Sequence, residues 1–146
     1  MLVTKSIEID AGHRVPNHKS KCINFHGHRY KIELGIDDKV LTTPGASDEG
    51  MVIDFSHLKK VLEDQIDKVF DHSMIIYVFD EYITAWVDWQ NRGLKVNIVQ
   101  FIPTAENLAK YWYELMEPDL KSRGVKIKHV KVWETPTSTA TYEAIN

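Results

Sequence analysis

Residues 22–28 read Cys22-Ile-Asn-Phe-His26-Gly-His28 and lead into a segment in which Tyr30, Ile32, Leu34 and Ile36 alternate with other residues. Alternation with a period of two is typical of a half-buried strand. On such a strand the side chains of His26 and His28 leave the same face, and Gly27 leaves the opposite face small. The motif therefore predicts a strand that begins with two neighbouring imidazoles.

A third histidine lies one predicted strand upstream. Residues 2–9 (LVTKSIEI) have roughly the pattern of a half-buried strand, and His13 follows them. If the two strands form a hairpin through the loop at 14–21, His13 reaches His26 and His28. Three histidines leave one position of a tetrahedral zinc open, as in catalytic sites. The alternative is surface or core histidines without a metal, but this spacing beside the only cysteine favours the metal.

A cupin metal motif is a competing interpretation, because Glu33 follows His26-x-His28 at a suitable distance. Val40 stands where that motif needs a glycine, and a jelly-roll needs about eight strands. Glu33 also has an odd offset and points away from both histidines on a single strand. The cupin hypothesis is therefore ranked below the three-histidine site.

Cys22 has three interpretations that the spacing leaves open. It is a small buried apolar residue, a fourth zinc ligand, or a catalytic acid or base whose thiolate is stabilised by nearby charge or metal.

Two further pairs and one loop carry polar groups, each with two interpretations. Asp71-His72 is either a polar helix end or a carboxylate that orients a proton-transferring imidazole. Glu134-Thr135 ends a strand and is either solvated or accepts two parallel N–H donors. The basic loop contacts a phosphorylated substrate or is simply solvated; it contains Arg14, His18, Lys19 and Lys21.

The remaining pattern gives the fold class. A helix is predicted from Asp54 to about Phe70, and Thr104 is expected to cap a second helix. Strands are predicted at 126–133 and 139–144, whereas 73–101 is aromatic and ambiguous apart from a strand-like run at its end. This order predicts α+β, an antiparallel sheet backed by two helices, whose edges favour an oligomer.

Composition restricts the functional classes. The 146 residues are expected to form a single domain, 1–146, with 43% hydrophobic and 27% charged residues. A net charge of −3 argues against a nucleic-acid binder. One cysteine excludes an intrachain disulfide, and no signal-peptide run or membrane-spanning stretch is evident. A cytoplasmic protein without membrane contact is expected.

Six motifs in this order resemble the 6-pyruvoyltetrahydropterin synthase and 6-carboxytetrahydropterin synthase family over nearly the whole chain. They are Ala11-Gly-His13-Arg14, Cys22-x3-His26-Gly-His28, Val52-x-Asp54-Phe55, Asp71-His72, Pro103-Thr104-x-Glu106-Asn107 and Glu134-Thr135.

The resemblance implies the tunnelling fold (T-fold), a four-stranded antiparallel sheet with two helices on one face. It implies zinc on His13, His26 and His28. The implied proton-transfer residues are Cys22, Asp71 and His72. Glu134 would anchor the amino-pyrimidinone edge of a pterin, with Thr104 and Thr135 as further substrate-binding residues. It also implies a homo-oligomer, a hexamer or another ring, with active sites between subunits.

The spacing within the motif distinguishes branches of the family. Three residues between Cys22 and His26 resemble the bacterial 6-carboxytetrahydropterin synthases of queuosine (7-deazaguanine) biosynthesis. The implied reaction converts 7,8-dihydroneopterin triphosphate to 6-carboxy-5,6,7,8-tetrahydropterin, with release of acetaldehyde and triphosphate. The alternatives are 6-pyruvoyltetrahydropterin formation and a catalytically silent zinc-binding oligomer. The chain departs from the pattern at Ala105, where pyruvoyl-forming relatives often carry threonine, and in the long segment 73–101.

Overall fold

A long hairpin organises the protein, for which a computed structural model describes residues 1–145. Strand β1 (Leu2–His13) pairs antiparallel with β2 (His26–Asp37), from Leu2 opposite Asp37 to His13 opposite His26. The predicted alternation is confirmed, because Tyr30, Ile32, Leu34 and Ile36 are all buried. The hairpin therefore brings the ends of two strands together where the histidines lie.

The sheet is completed by β3 (Ser73–Tyr77), β4 (Val96–Val99), β5 (Ile127–Thr135) and β6 (Ser138–Glu143), in the order β4-β3-β1-β2-β5-β6. The predicted α+β class is confirmed, and the four predicted antiparallel strands are β1, β2, β5 and β6. The strand number is corrected from four to six, because β3 and β4 add two parallel strands beside β1. The strand-like run predicted at the end of the segment 73–101 is β4. Strand β3 shows no alternation, because parallel strands covered on both faces lack it and their short apolar runs resemble buried helix in sequence.

Two helical regions cover one face of the sheet. Helix α1 (Phe55–Leu62) continues through a π-helical stretch, Glu63–Asp67, into the short α2 (Lys68–Phe70). Helix α4 (Ala105–Ser122) is the longer one. Both predicted caps are present, since Asp54 accepts from Ser56 N at 2.8 Å and Thr104 accepts from Asn107 N at 3.3 Å. The main core lies between these helices and the sheet; it includes Ile9, Ile32, Leu58, Ile66, Trp112 and Met116.

A third helix, α3 (Ile83–Asn91), lies on the opposite face of the sheet. Met74 lies opposite Gly12 in the sheet, so it points to the same face as position 12. Positions 12 and 13 point to opposite faces, and His13 lies on the face of α1 and α4, so Met74 faces away from these helices. Met74 belongs to a second apolar cluster with Ile76 and with Trp86 of α3. The ambiguous segment 73–101 is thus a β3–α3–β4 unit. Within residues 1–145, no helix combines the length and apolar character of a membrane span.

Candidate metal centre

Three imidazoles converge at the end of the β1–β2 hairpin, on the face covered by α1 and α4. One ring nitrogen from each of His13, His26 and His28 lies within 4.8 Å of the others. His13 is buried, whereas His26 and His28 are half-buried, so the cluster opens to solvent on one side. Behind it, a Cβ on Gly27 would approach the carbonyl oxygen of Ala11 to 2.9 Å, so glycine permits this close pairing of the strands.

Backbone carbonyls fix the tautomers of two of these rings. His13 Nδ1 lies 2.7 Å from Pro103 O, and His26 Nδ1 lies 2.8 Å from Asn24 O. A carbonyl oxygen can only accept a hydrogen bond, so each Nδ1 carries the proton and donates. In the neutral forms of His13 and His26, Nε2 therefore carries no proton and has a free lone pair. Protein metal sites commonly orient their histidine ligands in this way.

The bare nitrogens face one another, which provides a test of whether a cation fits here. His13 Nε2 and His26 Nε2 are 3.0 Å apart, so two lone pairs oppose each other. His28 Nε2 is buried without a hydrogen-bond partner. A metal ion bonded to all three nitrogens would remove both penalties, and zinc–nitrogen bonds of about 2.0–2.1 Å correspond to nitrogens about 3.3 Å apart. The three residues therefore fit a metal ion.

Burial favours the neutral form of His13 and His28, which is the form that binds metal. Loss of hydration lowers the pKa of His13 to about 4, against a smaller opposing effect of its bond to Pro103. Burial also lowers the pKa of His28, partly offset by the carboxylate of Glu134. The oxygen Oε1 of Glu134 lies 3.8 Å from His28 Nε2, so this acid borders the cluster.

The stability of the metal-free protein should fall as the pH falls from about 6.5 to about 4. The unfolded chain protonates His13 near pH 6.5, whereas the folded chain does so only near its lowered pKa of about 4. The unfolded state then binds more protons in this window, so acid favours unfolding, by about 3 kcal/mol from His13. Urea unfolding at about pH 7.5 and about pH 4.5 measures this difference.

In His13→Gln, the free energy of unfolding should lose most of its dependence on pH. His57→Gln, which alters an exposed histidine of α1, should keep it. A wild-type free energy of unfolding that does not change between the two pH values would contradict the burial argument.

Other predicted site residues adjoin this cluster. Cys22 is half-buried in a 3₁₀ turn, Lys21–Ile23, within the loop 14–25 that joins His13 to His26. Burial, followed by the charges of Glu134 and Cys22, raises the pKa of Tyr30. Tyr30 Oη lies 3.3 Å from His13 Nδ1, so Cys22 and Glu134 both act on the surroundings of the cluster. Thr104 directly follows Pro103, whose carbonyl orients His13.

The pair Asp71–His72 forms a separate group. Asp71 accepts from Asp10 N at 2.9 Å through Oδ1 and from His72 Nδ1 at 2.7 Å through Oδ2. The bond from Asp10 N, followed by the one from His72, holds the pKa of Asp71 below its usual value. His72 has a left-handed backbone with φ 56°, which is uncommon for a residue other than glycine and frequent at functional sites.

His72 of this pair borders the same groove as His28, one of the three clustered histidines. His72 is exposed, and Gly12, Gly27 and Trp86 also line this open groove. Among residues 1–145, no hydrogen bond or ion pair connects Asp71 or His72 with Cys22 or the three histidines. Thr135 accepts from Thr137 N at 3.3 Å and borders a second hollow, beside Trp133.

The structure adds groups that the sequence did not single out. Tyr30 contacts His13, and the carbonyls of Asn24 and Pro103 orient two rings. Tyr30 follows the motif at the spacing of the same strand face, which is a signal that could have identified it. Every residue has a backbone carbonyl, so the roles of the Asn24 and Pro103 carbonyls could not be predicted from residue type.

Comparison with known proteins gives a consistent result. The family model for 6-pyruvoyl tetrahydropterin synthase matches residues 2–145. The 6-carboxy-5,6,7,8-tetrahydropterin synthase of Aquifex aeolicus is 34% identical, covering 97% of this chain and 96% of the relative. The protein of the same name from Rickettsia bellii is 37% identical, covering 91% and 93%.

Solved structures share the fold. An uncharacterized protein from Wolinella succinogenes aligns with a TM-score of 0.81 at 23% identity, covering 98% of this chain and 97% of that chain. The 6-pyruvoyl tetrahydropterin synthase of Caenorhabditis elegans aligns with a TM-score of 0.67 at 23% identity, covering 99% and 96%. The family match and the relatives above 30% identity extend over nearly the whole chain. The protein therefore belongs to the 6-pyruvoyl tetrahydropterin synthase family of pterin synthase-type enzymes.

Proposed function

We propose that this protein is a zinc-dependent 6-carboxytetrahydropterin synthase of queuosine (7-deazaguanine) biosynthesis. It would convert 7,8-dihydroneopterin triphosphate to 6-carboxy-5,6,7,8-tetrahydropterin, releasing acetaldehyde and triphosphate. The observation that carries the proposal is the convergence of three imidazole nitrogens beside the loop of Cys22. The names of relatives at 34% and 37% identity support the choice of the carboxy-forming branch.

His13, His26 and His28 would hold the zinc, with the solvent side left for substrate. When bound there, zinc would act as a Lewis acid toward oxygens of the substrate side chain. The protein contributes the fixed tautomers, since Pro103 and Asn24 keep the Nε2 atoms of two ligands free. Burial keeps His13 neutral at physiological pH.

Proton transfer is assigned to Cys22 and His72. Cys22 as thiolate would take a proton from the substrate side chain, and His72 would act as its partner. The carboxylate of Asp71 accepts from His72 Nδ1, which leaves His72 Nε2 free to give or take a proton. Because the pKa of Asp71 is lowered, this orienting carboxylate stays ionised.

The pterin ring is assigned to the side of the cluster bordered by Glu134. A carboxylate can accept two parallel N–H donors from an amino-pyrimidinone edge. Glu134 lies 3.8 Å from His28 Nε2, which would place a ring held by this carboxylate next to the metal. Thr104, at the start of α4, and Thr135 are proposed as further substrate contacts. The ring would then be oriented with its side chain toward Cys22.

We assign the two halves of each active site to different chains of a homo-oligomeric ring. Support comes from the lack, among residues 1–145, of any hydrogen bond or ion pair that joins Asp71 or His72 to Cys22 or the three histidines. Unpaired edges at β4 and β6 are also suited to strand pairing between copies.

Mixed oligomers should test this assignment directly. Cys22→Ala and His72→Ala subunits, each inactive alone, are unfolded together, refolded and assayed. If one site takes Cys22 and His72 from different chains, about a quarter of the mixed sites are intact, so activity should return to about a quarter of the wild-type value. The control is a mixture refolded separately and combined afterwards. Activity that stays at the level of this control would place both residues of a site on one chain.

The reaction itself is tested with zinc-loaded protein and 7,8-dihydroneopterin triphosphate. The pterin product is identified by mass, and acetaldehyde is assayed in parallel. A 6-carboxy product together with acetaldehyde supports the proposal. A 6-pyruvoyl product without acetaldehyde would assign the other branch of the family. Unchanged substrate would indicate a catalytically silent zinc-binding oligomer.

A further inference from the structure

A buried ion cluster adjoins the candidate metal centre. Arg14 directly follows His13, and its side chain is only 2% exposed. The guanidinium lies 3.4 Å from Asp80 Oδ1 and 2.9 Å from Glu81 Oε1. Asp80 is itself fully buried and also accepts from Tyr82 N at 2.8 Å. The basic loop of the sequence therefore does not expose Arg14, which is committed to the segment before α3.

Buried ion pairs give little net stability, because desolvation opposes the attraction between the charges. Arg14 Nε and Asp80 Oδ2 lack hydrogen-bond partners although both are buried, so this pair is not fully compensated. In other proteins, apolar residues of similar volume often replace a buried ion pair without loss of stability. The best-attested use of such a pair is to fix one arrangement of the chain.

Aromatic contacts connect this pair to the second strand of the hairpin. The Arg14 guanidinium lies 4.9 Å from the ring centroid of Tyr82 and 5.8 Å from that of Phe25. The ring of Phe25 packs edge-to-face on Trp86 of α3, with centroids 5.2 Å apart. Phe25 directly precedes His26. Hence the chain neighbours of two candidate metal ligands, Arg14 and Phe25, contact each other and the α3 unit.

The loop between these two residues carries Cys22. It begins at Arg14 and ends at Phe25, and inside it Val15 N donates to the carbonyl of Cys22 at 2.9 Å. Residues 17–21 of the loop are exposed. The position of the thiol therefore depends on the hydrogen bond from Val15 and on the contacts made by the two ends of the loop.

We propose that Arg14 is a positioning residue: its pair with Asp80 and its contacts with Phe25 and Tyr82 fix both ends of loop 14–25 and so hold Cys22 beside the three-histidine cluster. The inference rests on the proposed role of Cys22 next to zinc. Arg14 acts through the loop and does not touch substrate. In this proposal, the segment 80–86 of the long region 73–101 serves to anchor the loop.

Alkylation of Cys22 can test this placement without any pterin. Cys22 is the only cysteine, so the rate of reaction with iodoacetamide reports on this thiol alone. Zinc beside a thiol stabilises the thiolate and changes its reactivity, by about tenfold for a neighbouring positive charge. The measured quantity is the ratio of the alkylation rate with zinc to the rate without zinc. Both rates are measured far below the unfolding temperature, so that only folded protein reacts.

The informative variant is Arg14→Met/Asp80→Asn. It removes both buried charges together, and Glu81, which also loses Arg14 as its partner, is exposed to solvent. The amide oxygen introduced at position 80 can still accept from Tyr82 N. The wild-type ratio should differ from one by about tenfold, and the ratio of the double variant should approach one while zinc is still bound. Arg92→Met is the control, because Arg92 pairs with Asp88 on the exposed surface of α3. Its ratio should equal that of the wild type.

The outcomes separate two failures. A wild-type ratio of one would show that Cys22 is not coupled to the metal, which overturns its proposed role and this inference with it. A large wild-type ratio that persists in the double variant would overturn the positioning role of Arg14 alone. Turnover gives a second readout, with kcat expected to fall about tenfold and KM to change less than about twofold in the double variant.

Discussion

Cys22→Ala is expected to lose nearly all turnover while it keeps one zinc ion per chain. Loss of a general acid–base group lowers the rate by about 10²- to 10⁴-fold. The three histidines would supply the metal ligands without help from sulfur, since their nitrogens already lie within 4.8 Å of one another. Steady-state assay of kcat and metal analysis of the same purified sample give both quantities.

Cys22→Ser provides a matched comparison. The hydroxyl has nearly the same shape as the thiol but is a much weaker acid, so kcat should stay low although the loop is unchanged. Loss of zinc from Cys22→Ala would instead identify the thiol as a fourth ligand that closes the site. Full activity of the alanine variant would remove Cys22 from the mechanism.

His28→Ala should abolish zinc binding at physiological concentrations, and turnover with it. Removal of a residue that merely orients a ligand costs about 10- to 100-fold in metal affinity, so removal of a ligand should cost more than about 100-fold. His28 is the best choice of the three, because its Nε2 has no hydrogen-bond partner to leave behind. His13→Ala would also leave the buried carbonyl of Pro103 without its donor.

Thermal unfolding measures the same loss independently of activity. A ligand at about 1,000 times its Kd stabilises the folded state by about 4 kcal/mol, so zinc should raise the Tm of the wild type. This increase should disappear in His28→Ala and remain in His57→Ala, which alters an exposed histidine of α1. Without zinc, His28→Ala should unfold near the wild-type temperature. An undiminished effect of zinc in His28→Ala would exclude His28 as a ligand.

The hairpin and its histidines could be predicted from the sequence because strand alternation is a local property. Once β1 and β2 pair, the period of two brings His26 and His28 to one face, and the register places His13 opposite His26. The helix caps at Asp54 and Thr104 are local in the same way, since each side chain bonds a backbone N–H two or three residues ahead.

Only the last strand of the β3–α3–β4 unit could be predicted in this way. The sequence predicts a strand-like run that contains Val96–Val99, whereas Ser73–Tyr77 shows no alternation that would distinguish a strand from a buried helical turn. The position of α3 on the opposite face depends on packing of Trp86 against Ile76 and Val96, which are separated in sequence.

The candidate metal ligands could be identified from the sequence, because residue type and the period of a strand are local properties. Which side chains meet was set by the folding of the whole chain. Folding brought Glu134 to His28, placed Asp71 against the backbone of Asp10, and paired Arg14 with Asp80. These contacts join residues far apart in the chain, and packing between distant elements, which no local pattern encodes, sets their distances.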